Sequence, residues 1–189
     1  MNSKIKGTIC CVFAAISYGM NPLGALNLYQ EGLNVNSVIF YRYGLATTIL
    51  ALIMLAQKKS FAITRREFAV LSVLGVLMVV SSLTLFGSFN FMDAGIASTL
   101  LFVYPVMVAV MMAIFFKEKV TPITVISIAL ALGGISLLYK GGDGATLSTV
   151  GVLLVMASSL TYAVYIIVVN KSALVMSSVN LSFYVLLIG

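Results

Sequence analysis

The chain has 189 residues, of which 61% are hydrophobic and 8% charged, and its mean hydropathy is +1.15. A water-soluble domain normally has about a quarter charged residues, so the composition excludes that class and indicates a helical membrane protein. The net charge of +6 does not indicate nucleic-acid binding, because the basic residues lie in joints between apolar segments, where they report orientation. We therefore expect the lipid bilayer as a partner and no nucleic acid.

The chain contains six apolar segments that are long enough to cross a membrane, and a seventh that is too short. A bilayer core of about 30 Å needs roughly 20 helical residues. The six segments are Gly7–Leu28, Ser37–Ala56, Phe68–Phe91, Ala94–Phe116, Val120–Tyr139 and Leu147–Val169. The last stretch, Leu181–Gly189, covers about half a span. We predict an all-α polytopic membrane protein with six complete spans and the start of a seventh.

The charged residues in the joints between these segments alternate in sign. If the segments cross the membrane in turn, nine of the eleven basic residues fall on one side: Lys4, Lys6, Lys58, Lys59, Arg65, Arg66, Lys117, Lys119 and Lys171. The opposite joints hold Glu31, Asp93, Asp143 and one base, Lys140. Since cytoplasmic joints are enriched in Lys and Arg, we predict a cytoplasmic amino terminus and a multi-pass protein of the inner (plasma) membrane.

A glycine-rich joint at residues 140–144 divides the chain into two units. Three glycines follow Lys140 within four positions, and they leave the backbone unconstrained. Residues 14–19 align weakly with 158–163, and Phe40-Tyr41 aligns with Phe183-Tyr184. We predict a first repeat of five transmembrane helices at 1–140 and the start of a second repeat at 141–189. Because five is odd, the second repeat enters the membrane inverted, as in many secondary transporters.

Several stretches resemble a known family. Residues 97–105, read as Ala-Ser-Thr-Leu-Leu-Phe-Val-Tyr-Pro, are similar to the fourth span of EamA-type transporters of the drug/metabolite transporter superfamily. The resemblance continues through Phe115-Phe116-Lys117-Glu118 to Gly133-Gly134-Ile135. It implies ten spans in two inverted five-helix repeats, a cytoplasmic start, and export or exchange of small metabolites. This chain stops within the seventh span, so we expect it to be a fragment of a longer transporter.

Arg42 is the most informative single residue, because a cation within a membrane segment is costly and usually has a task. In one interpretation it lies at the outer mouth of a transport pathway, where it attracts anionic groups or pairs with a carboxylate. In the other it extends to the outer interface between Tyr41 and Tyr43. The sequence leaves both interpretations open.

Two prolines interrupt membrane segments. Pro22 removes an amide donor and disfavours helix at Asn21, and Pro105 does the same after Tyr104. In membranes such breaks are tolerated where they face protein or a wet cavity. Each pair is therefore either a kink stabilised by neighbouring helices or part of a substrate cavity.

Other candidates are aromatic or polar. Tyr18, Tyr162 and Tyr165 offer aromatic walls with a hydroxyl group, and Tyr18 and Tyr162 occupy equivalent repeat positions. Asn90 follows Ser81, Ser82, Thr84 and Ser88, which form either a polar track or helix-to-helix hydrogen bonds. Glu118 lies between Lys117 and Lys119 and is predicted to form either a local ion pair or a gate contact at the cytoplasmic surface. The predicted substrate pathway consists of Tyr18, Asn21, Pro22, Arg42, Asn90, Tyr104, Pro105, Tyr162 and Tyr165.

The sequence contains no pattern that indicates a metal site or an enzyme active site. There is no histidine, and the two cysteines, Cys10 and Cys11, are adjacent, so we expect no metal site and no cofactor. No carboxylate pair and no nucleophile with a base partner is present, which argues against an enzyme with catalytic residues. No acidic residue lies deep in a segment, so proton coupling has no positive support.

The sequence thus favours a secondary transporter that exports or exchanges small metabolites, either amino acids or amphipathic organic molecules, by alternating access. The alternative is a non-transporting or oligomeric membrane component, or an inactive fragment of a transporter. The small residues Ala129, Gly133 and Gly134 on the fifth segment suit close helix packing, either inside the bundle or between subunits of a homo-oligomer.

Overall fold

The computed structural model describes residues 3–118, 122–141, 148–172 and 174–189, and these residues form α-helices without strands. The helices in chain order are α1 Ser3–Gly19, α2 Asn21–Gln30, α3 Val35–Ala56, α4 Arg65–Ser88, α5 Ala94–Leu101, α6 Tyr104–Phe116, α7 Pro122–Gly141, α8 Thr149–Lys171 and α9 Ser178–Ile188. The predicted all-α class is confirmed.

Five stretches of the described residues are long and apolar enough to cross a membrane. They are Gly7–Gln30, Val35–Ala56, Arg65–Ser88, Ala94–Phe116 and Thr149–Lys171. Helix α7 has 20 residues and covers the fifth predicted segment from Pro122 onwards, whereas α9 is a shorter apolar helix of 11 residues. These lengths confirm a polytopic membrane protein.

The glycine joint predicted at residues 140–144 lies largely outside the described residues. Helix α7 continues to Gly141, and positions 142–147 are not described. Lys119, one of the predicted cytoplasmic bases, also falls outside the described ranges. The division of the chain into two repeats therefore stays a prediction.

Polar side chains determine where several helices begin. Helix α4 starts at Arg65, three residues before the predicted segment, because Thr64 and Glu67 form a reciprocal capping box. Asp93 accepts hydrogen bonds from the backbone amides of Gly95 and Ile96 and so starts α5. The amides at a helix start have no partner within the helix. These caps satisfy some of them in the joints.

The two predicted proline breaks are confirmed by the helix boundaries. Helix α1 ends directly before Met20 and α2 begins at Asn21-Pro22, while α5 and α6 are separated by two residues before Tyr104-Pro105. At the second break the amides of Phe102 and Val103 bond to carbonyls three residues back, at 3.1 Å each. This tighter turn keeps both amides paired where the helix is interrupted.

The antiparallel pair of α4 and α8 forms the centre of the bundle. Ser81 Oγ donates to the carbonyl of Ser158 at 3.1 Å, and Ser158 Oγ donates to the carbonyl of Ser81 at 2.7 Å. Ser159 is also fully buried, and its hydroxyl donates to the carbonyl of Leu101 on α5 at 3.2 Å. Of the two predicted roles for the small polar residues of α4, Ser81 therefore takes the helix-to-helix one.

Helix α9 packs closely against α3 and α4. Gly75 of α4 makes this possible, because a Cβ atom there would lie 3.1 Å from the backbone nitrogen of Gly189 and 3.2 Å from Ile188 Cβ. A larger residue at position 75 would separate the two helices. The buried residues around the contact of α3, α4 and α9 are Met54, Leu71, Leu74, Phe183, Tyr184 and Val185.

Three of the basic joints lie at one end of the bundle. Lys171 at the end of α8 forms an ion pair with Glu118 after α6, with 3.0 Å between the charged atoms. Lys59 after α3 donates to the Ser177 hydroxyl before α9 at 3.1 Å. At the opposite end, Met92 lies against the start of α8. The fold thus places these basic joints together, as the alternation of charge predicted.

The small-residue patch of α7 is not covered by another helix in the described part of the chain. Ala129, Gly133 and Gly134 are exposed, and a Cβ atom added at either glycine would meet open space. Of the two predicted uses, the described structure does not show packing inside the bundle.

The serine contact between α4 and α8 should contribute measurably to stability. We expect Ser81→Ala and Ser158→Ala each to lower the free energy of unfolding, and the double variant to lose less than the sum, with a coupling of about 0.6 kcal/mol. The measurement is unfolding by denaturing detergent, followed by circular dichroism. Ser72→Ala is the control, since that hydroxyl bonds only to the Phe68 carbonyl of its own helix. Strictly additive losses would contradict the contact.

Candidate substrate cavity

A cavity of about 420 Å³ lies where the two proline breaks approach the end of α4. Its lining includes five of the predicted pathway residues: Tyr18, Asn21, Pro22, Tyr104 and Tyr162. Both breaks therefore face a shared space and not only neighbouring side chains. This is the environment in which a broken membrane helix is tolerated.

Three phenylalanines that the sequence analysis did not single out form much of the apolar wall. Phe86, Phe89 and Phe102 line the cavity, and the rings of Phe86 and Phe89 lie 5.2 Å apart. Nothing in the sequence distinguishes them from lipid-facing residues such as Phe115, which is 73% exposed. Only the helix breaks, which bring α1 and α5 towards α4, identify them as wall residues.

Three tyrosines form a contiguous aromatic cluster at the cavity. The rings of Tyr104 and Tyr162 meet edge to face at 4.9 Å, and Tyr165 stacks on Tyr162 at 5.8 Å with an angle of 9° between the planes. Such pairs each contribute about 0.5–1.5 kcal/mol beyond area burial. Tyr165 thus supports Tyr162 from behind, although it does not itself line the cavity.

The phenol groups at the cavity differ from those elsewhere in the bundle. Tyr29 and Tyr43 donate hydrogen bonds to carbonyls of α4, at 3.2 and 3.3 Å. Among the described residues, no hydrogen bond joins Tyr18, Tyr104 or Tyr162 to another group through its hydroxyl. These three hydroxyls are available to a solute in the cavity.

Arg42 lies eight residues into α3, about 10 Å along the helix from its start. Its guanidinium carbon is 4.5 Å from the centroid of the Phe86 ring. It lines a second cavity of about 310 Å³, which it shares with Asn21 at the first helix break. Phe86 and Asn21 also line the larger cavity, so the cation lies next to it.

Glu118 and Pro105 line a third cavity of about 420 Å³ on the other side of Tyr104. Tyr104 lines both this cavity and the first one. At the end of this third cavity Glu118 pairs with Lys171, and Lys171 Nζ also lies 4.6 Å from the centroid of the Phe116 ring. The series of cavity, Tyr104, cavity and ion pair runs towards the end of the bundle that carries the basic joints.

Asn90 is the predicted pathway residue that the structure does not place with the others. It lies in the turn after α4, where its side chain is exposed, and it is not part of the lining around Tyr18. The neighbouring polar residues of α4 are also used structurally. Ser82 bonds to the Tyr43 hydroxyl at 2.8 Å, and Ser88 donates to the Leu85 carbonyl of its own helix at 2.6 Å.

Five membrane-length apolar stretches around a kinked-helix cavity define a multi-pass helical membrane protein. The sequence profile of the EamA-like transporter family matches residues 5–140, and the chain belongs to this family. It is also 25% identical over 171 residues to a Bacillus subtilis (strain 168) protein named as the uncharacterized transporter YvbV.

The aligned region is 89% of this chain but 55% of that protein, so the chain spans about half the length of the curated relative it matches. No solved structure matches the chain.

The cavity should be hydrated, in contrast to the adjacent lipid-facing surface. With Cys10 and Cys11 replaced by Ser, we expect Ala15→Cys, which lines the cavity, to react with a polar maleimide. Ile16→Cys is the matched control at almost the same depth, because Ile16 is 57% exposed and lies outside that lining. The ionised thiolate reacts and forms only in water, so the rates should differ by at least about tenfold. Equal rates would show that the space is filled with lipid.

Proposed function

We propose that the protein is a secondary transporter that exports or exchanges small metabolites, amino acids or amphipathic organic molecules, by alternating access. The observation that carries this proposal is the pair of proline-broken helices that meet at an aromatic cavity. Broken helices of this kind form the substrate sites of many secondary transporters. Membership of a transporter family, and the name of the similar Bacillus subtilis protein, support the same class.

The proposed transporter consists of two inverted repeats, the first at residues 1–140 and the second beginning at 141–189. Tyr18 and Tyr162 are equivalent positions in this scheme. Both line the same cavity, which is the relation expected for a substrate site on the pseudo-symmetry axis between repeats. The remaining helices of the second repeat would complete the walls in a longer protein.

We place the protein in the plasma (inner) membrane with a cytoplasmic amino terminus. The support is the collection of basic joints at one end of the bundle together with the preference of cytoplasmic joints for Lys and Arg. In this orientation the aromatic cavity lies nearer the outer surface. The Ala15→Cys variant checks this in intact cells. An impermeant maleimide added outside should label it, whereas labelling only after permeabilisation would reverse the orientation.

The ion pair of Glu118 and Lys171 is the proposed cytoplasmic gate. It joins the end of α6 to the end of α8, and both helices also contribute walls of the substrate cavity through Tyr104 and Tyr162. In this proposal, the formed pair and the aromatic cavity towards the opposite end belong to an outward-facing state. Opening to the cytoplasm requires α6 and α8 to separate at this end.

Transport should depend on the ring of Tyr162. In liposomes containing the purified protein, we expect Tyr162→Ala to lower kcat/KM for a transported metabolite by at least about tenfold, because an aromatic wall and its two ring partners are lost. Tyr162→Phe keeps the ring and should lose less, about two- to tenfold. Tyr41→Ala is the control, since Tyr41 is 59% exposed and lies outside the cavity. No flux by the unaltered protein across a broad panel of metabolites would refute the transporter proposal.

Reversing the charges of the gate tests its role. We expect Glu118→Lys and Lys171→Glu each to change the transport rate by about 1.4- to fivefold, the range set by an exposed ion pair of about 0.2–1 kcal/mol. The double swap restores the attraction and should return the rate towards that of the unaltered protein. Lys58→Gln removes a charge at the same end without touching the pair. Failure of the double swap to recover the rate would remove the gate from the mechanism.

The competing proposal is a non-transporting membrane component that associates through small-residue faces. The observation that favours it is the exposure of the small residues Ala129, Gly133 and Gly134 on α7. Small residues allow close approach of helices in lipid. Gly133→Leu should then convert a homo-oligomer to monomers in mass photometry of nanodiscs. A protein that is monomeric before the substitution would exclude this association.

A further inference from the structure

Arg42 has aromatic neighbours but no acidic partner. Its guanidinium lies over the face of Phe86, and the phenol groups of Tyr18, Tyr29 and Tyr43 are within electrostatic range. Among the described residues, the one ion pair is between Lys171 and Glu118, at the opposite end of the bundle. The cation inside the helical bundle is therefore not neutralised by any residue that the structure describes.

An aromatic face alone does not satisfy an arginine. A cation–π contact contributes about 0.5–2 kcal/mol, but it leaves the five N–H donors of the guanidinium without acceptors. Those donors form a planar fork that matches a carboxylate with two parallel hydrogen bonds. An arginine whose guanidinium lies on an aromatic ring, and whose N–H donors have no acceptors, can bind an anion through those donors.

The position of Phe86 links this cation to the aromatic cavity. The same ring carries the guanidinium and lines the cavity of about 420 Å³, and Asn21 lines both that cavity and the pocket of Arg42. A solute in the cavity could therefore place its apolar body among the aromatic rings and its charged group at Arg42. A volume of this size is within the range of small-molecule sites, about 300–1,000 Å³.

The charges of the residues that line the site further restrict the class of ligand. None of the residues lining the aromatic cavity or the Arg42 pocket is acidic, within the chain that the structure describes. A zwitterionic amino acid would bring an ammonium group close to the Arg42 cation without a carboxylate to meet it, and like charges repel each other. A solute with one negative charge and no positive charge avoids that repulsion.

We propose that this site selects amphipathic organic monoanions, with the carboxylate on Arg42 and an aromatic or other apolar body between Tyr18, Phe86 and Tyr162. The inference rests on the proposed transport function and names its substrate class. It prefers organic acids to amino acids. It also assigns Arg42 to the substrate and not to the membrane interface.

Four probes with the same phenylethyl body and different charges test the proposal. They are phenylpropionate, phenylpropanamide, phenethylamine and phenylalanine, which carry a negative charge, no charge, a positive charge and both charges at neutral pH. Binding to the purified protein in detergent is measured by isothermal titration calorimetry. Phenylpropionate should bind at least about tenfold more tightly than each of the others, the value of a hydrogen-bonded charge.

Variants separate the contribution of Arg42 from that of the cavity. Arg42→Gln should weaken the binding of phenylpropionate at least about tenfold and leave the affinity for phenylpropanamide unchanged. Binding of the amide therefore also shows that the variant is folded. Arg42→Lys keeps the charge but loses the fork, and it should give an intermediate affinity. Lys58→Gln is the control for loss of one positive charge elsewhere and should bind as the unaltered protein does.

The outcomes also distinguish this inference from the function on which it rests. Equal or tighter binding of phenylalanine or phenylpropanamide by the unaltered protein, an unchanged selectivity in Arg42→Gln, or no binding of any of the four probes overturns the monoanion assignment. In each of these cases, flux of some other metabolite into liposomes would leave the transporter proposal standing. Anion-selective binding without any flux would instead retain the site and refute transport.

Discussion

The antiparallel contact between α4 and α8 is the interaction on which the rest of the structure depends. In lipid there is no hydrophobic driving force between helices, so small residues and interhelical hydrogen bonds determine which faces meet. The reciprocal bonds between Ser81 and Ser158 provide both. Tyr162 follows Ser158 by one helical turn on the same face. The serine contact thereby determines that Tyr162 points into the aromatic cavity.

Proline breaks determine where the cavity can form. Every backbone group in a bilayer needs a partner within the protein or in a wet space, and each of Pro22 and Pro105 leaves a carbonyl one turn earlier without its amide. The bundle places both breaks around one space, beside the end of α4. At the second break the freed carbonyl is that of Leu101, and it accepts the Ser159 hydroxyl of α8 at 3.2 Å, so a neighbouring helix satisfies this defect beside the cavity.

The sequence was sufficient to predict the class of fold, the breaks and most of the candidate site. Prolines act locally, so Asn21-Pro22 and Tyr104-Pro105 could be assigned without tertiary structure. The aromatic wall could not, because Phe86 in the cavity and Phe115 on the lipid face are both phenylalanines in apolar helices. Hydrophobic periodicity normally separates inside from outside, but in a membrane both faces are apolar and this signal is lost. Asn90 was selected for its polarity alone, and the structure places it in the exposed turn after α4, outside the lining of the cavity.

Arg42 and the Glu118–Lys171 pair show how charge is distributed along the proposed pathway. The pair is partly exposed, with 52% of the Glu118 side chain accessible, and such pairs contribute about 0.2–1 kcal/mol. An ion pair of this strength favours the closed state by no more than about fivefold, so the population of the open state stays at no less than about a fifth of that of the closed state. The proposed gate is thus weak enough for a bound solute to open or close it.

A carboxylate on the guanidinium of Arg42 is worth more than this, about 1.5–3 kcal/mol for a hydrogen bond to a charged group. Binding at the outer cation can therefore outweigh the inner ion pair, but only if the affinity for the solute differs between the two states. In the proposed alternating-access cycle the kinked helices would provide that difference, since Asn21 lines the pocket of Arg42 and lies at the break between α1 and α2. In the proposed cycle the substrate is then also the ligand that biases the conformational change.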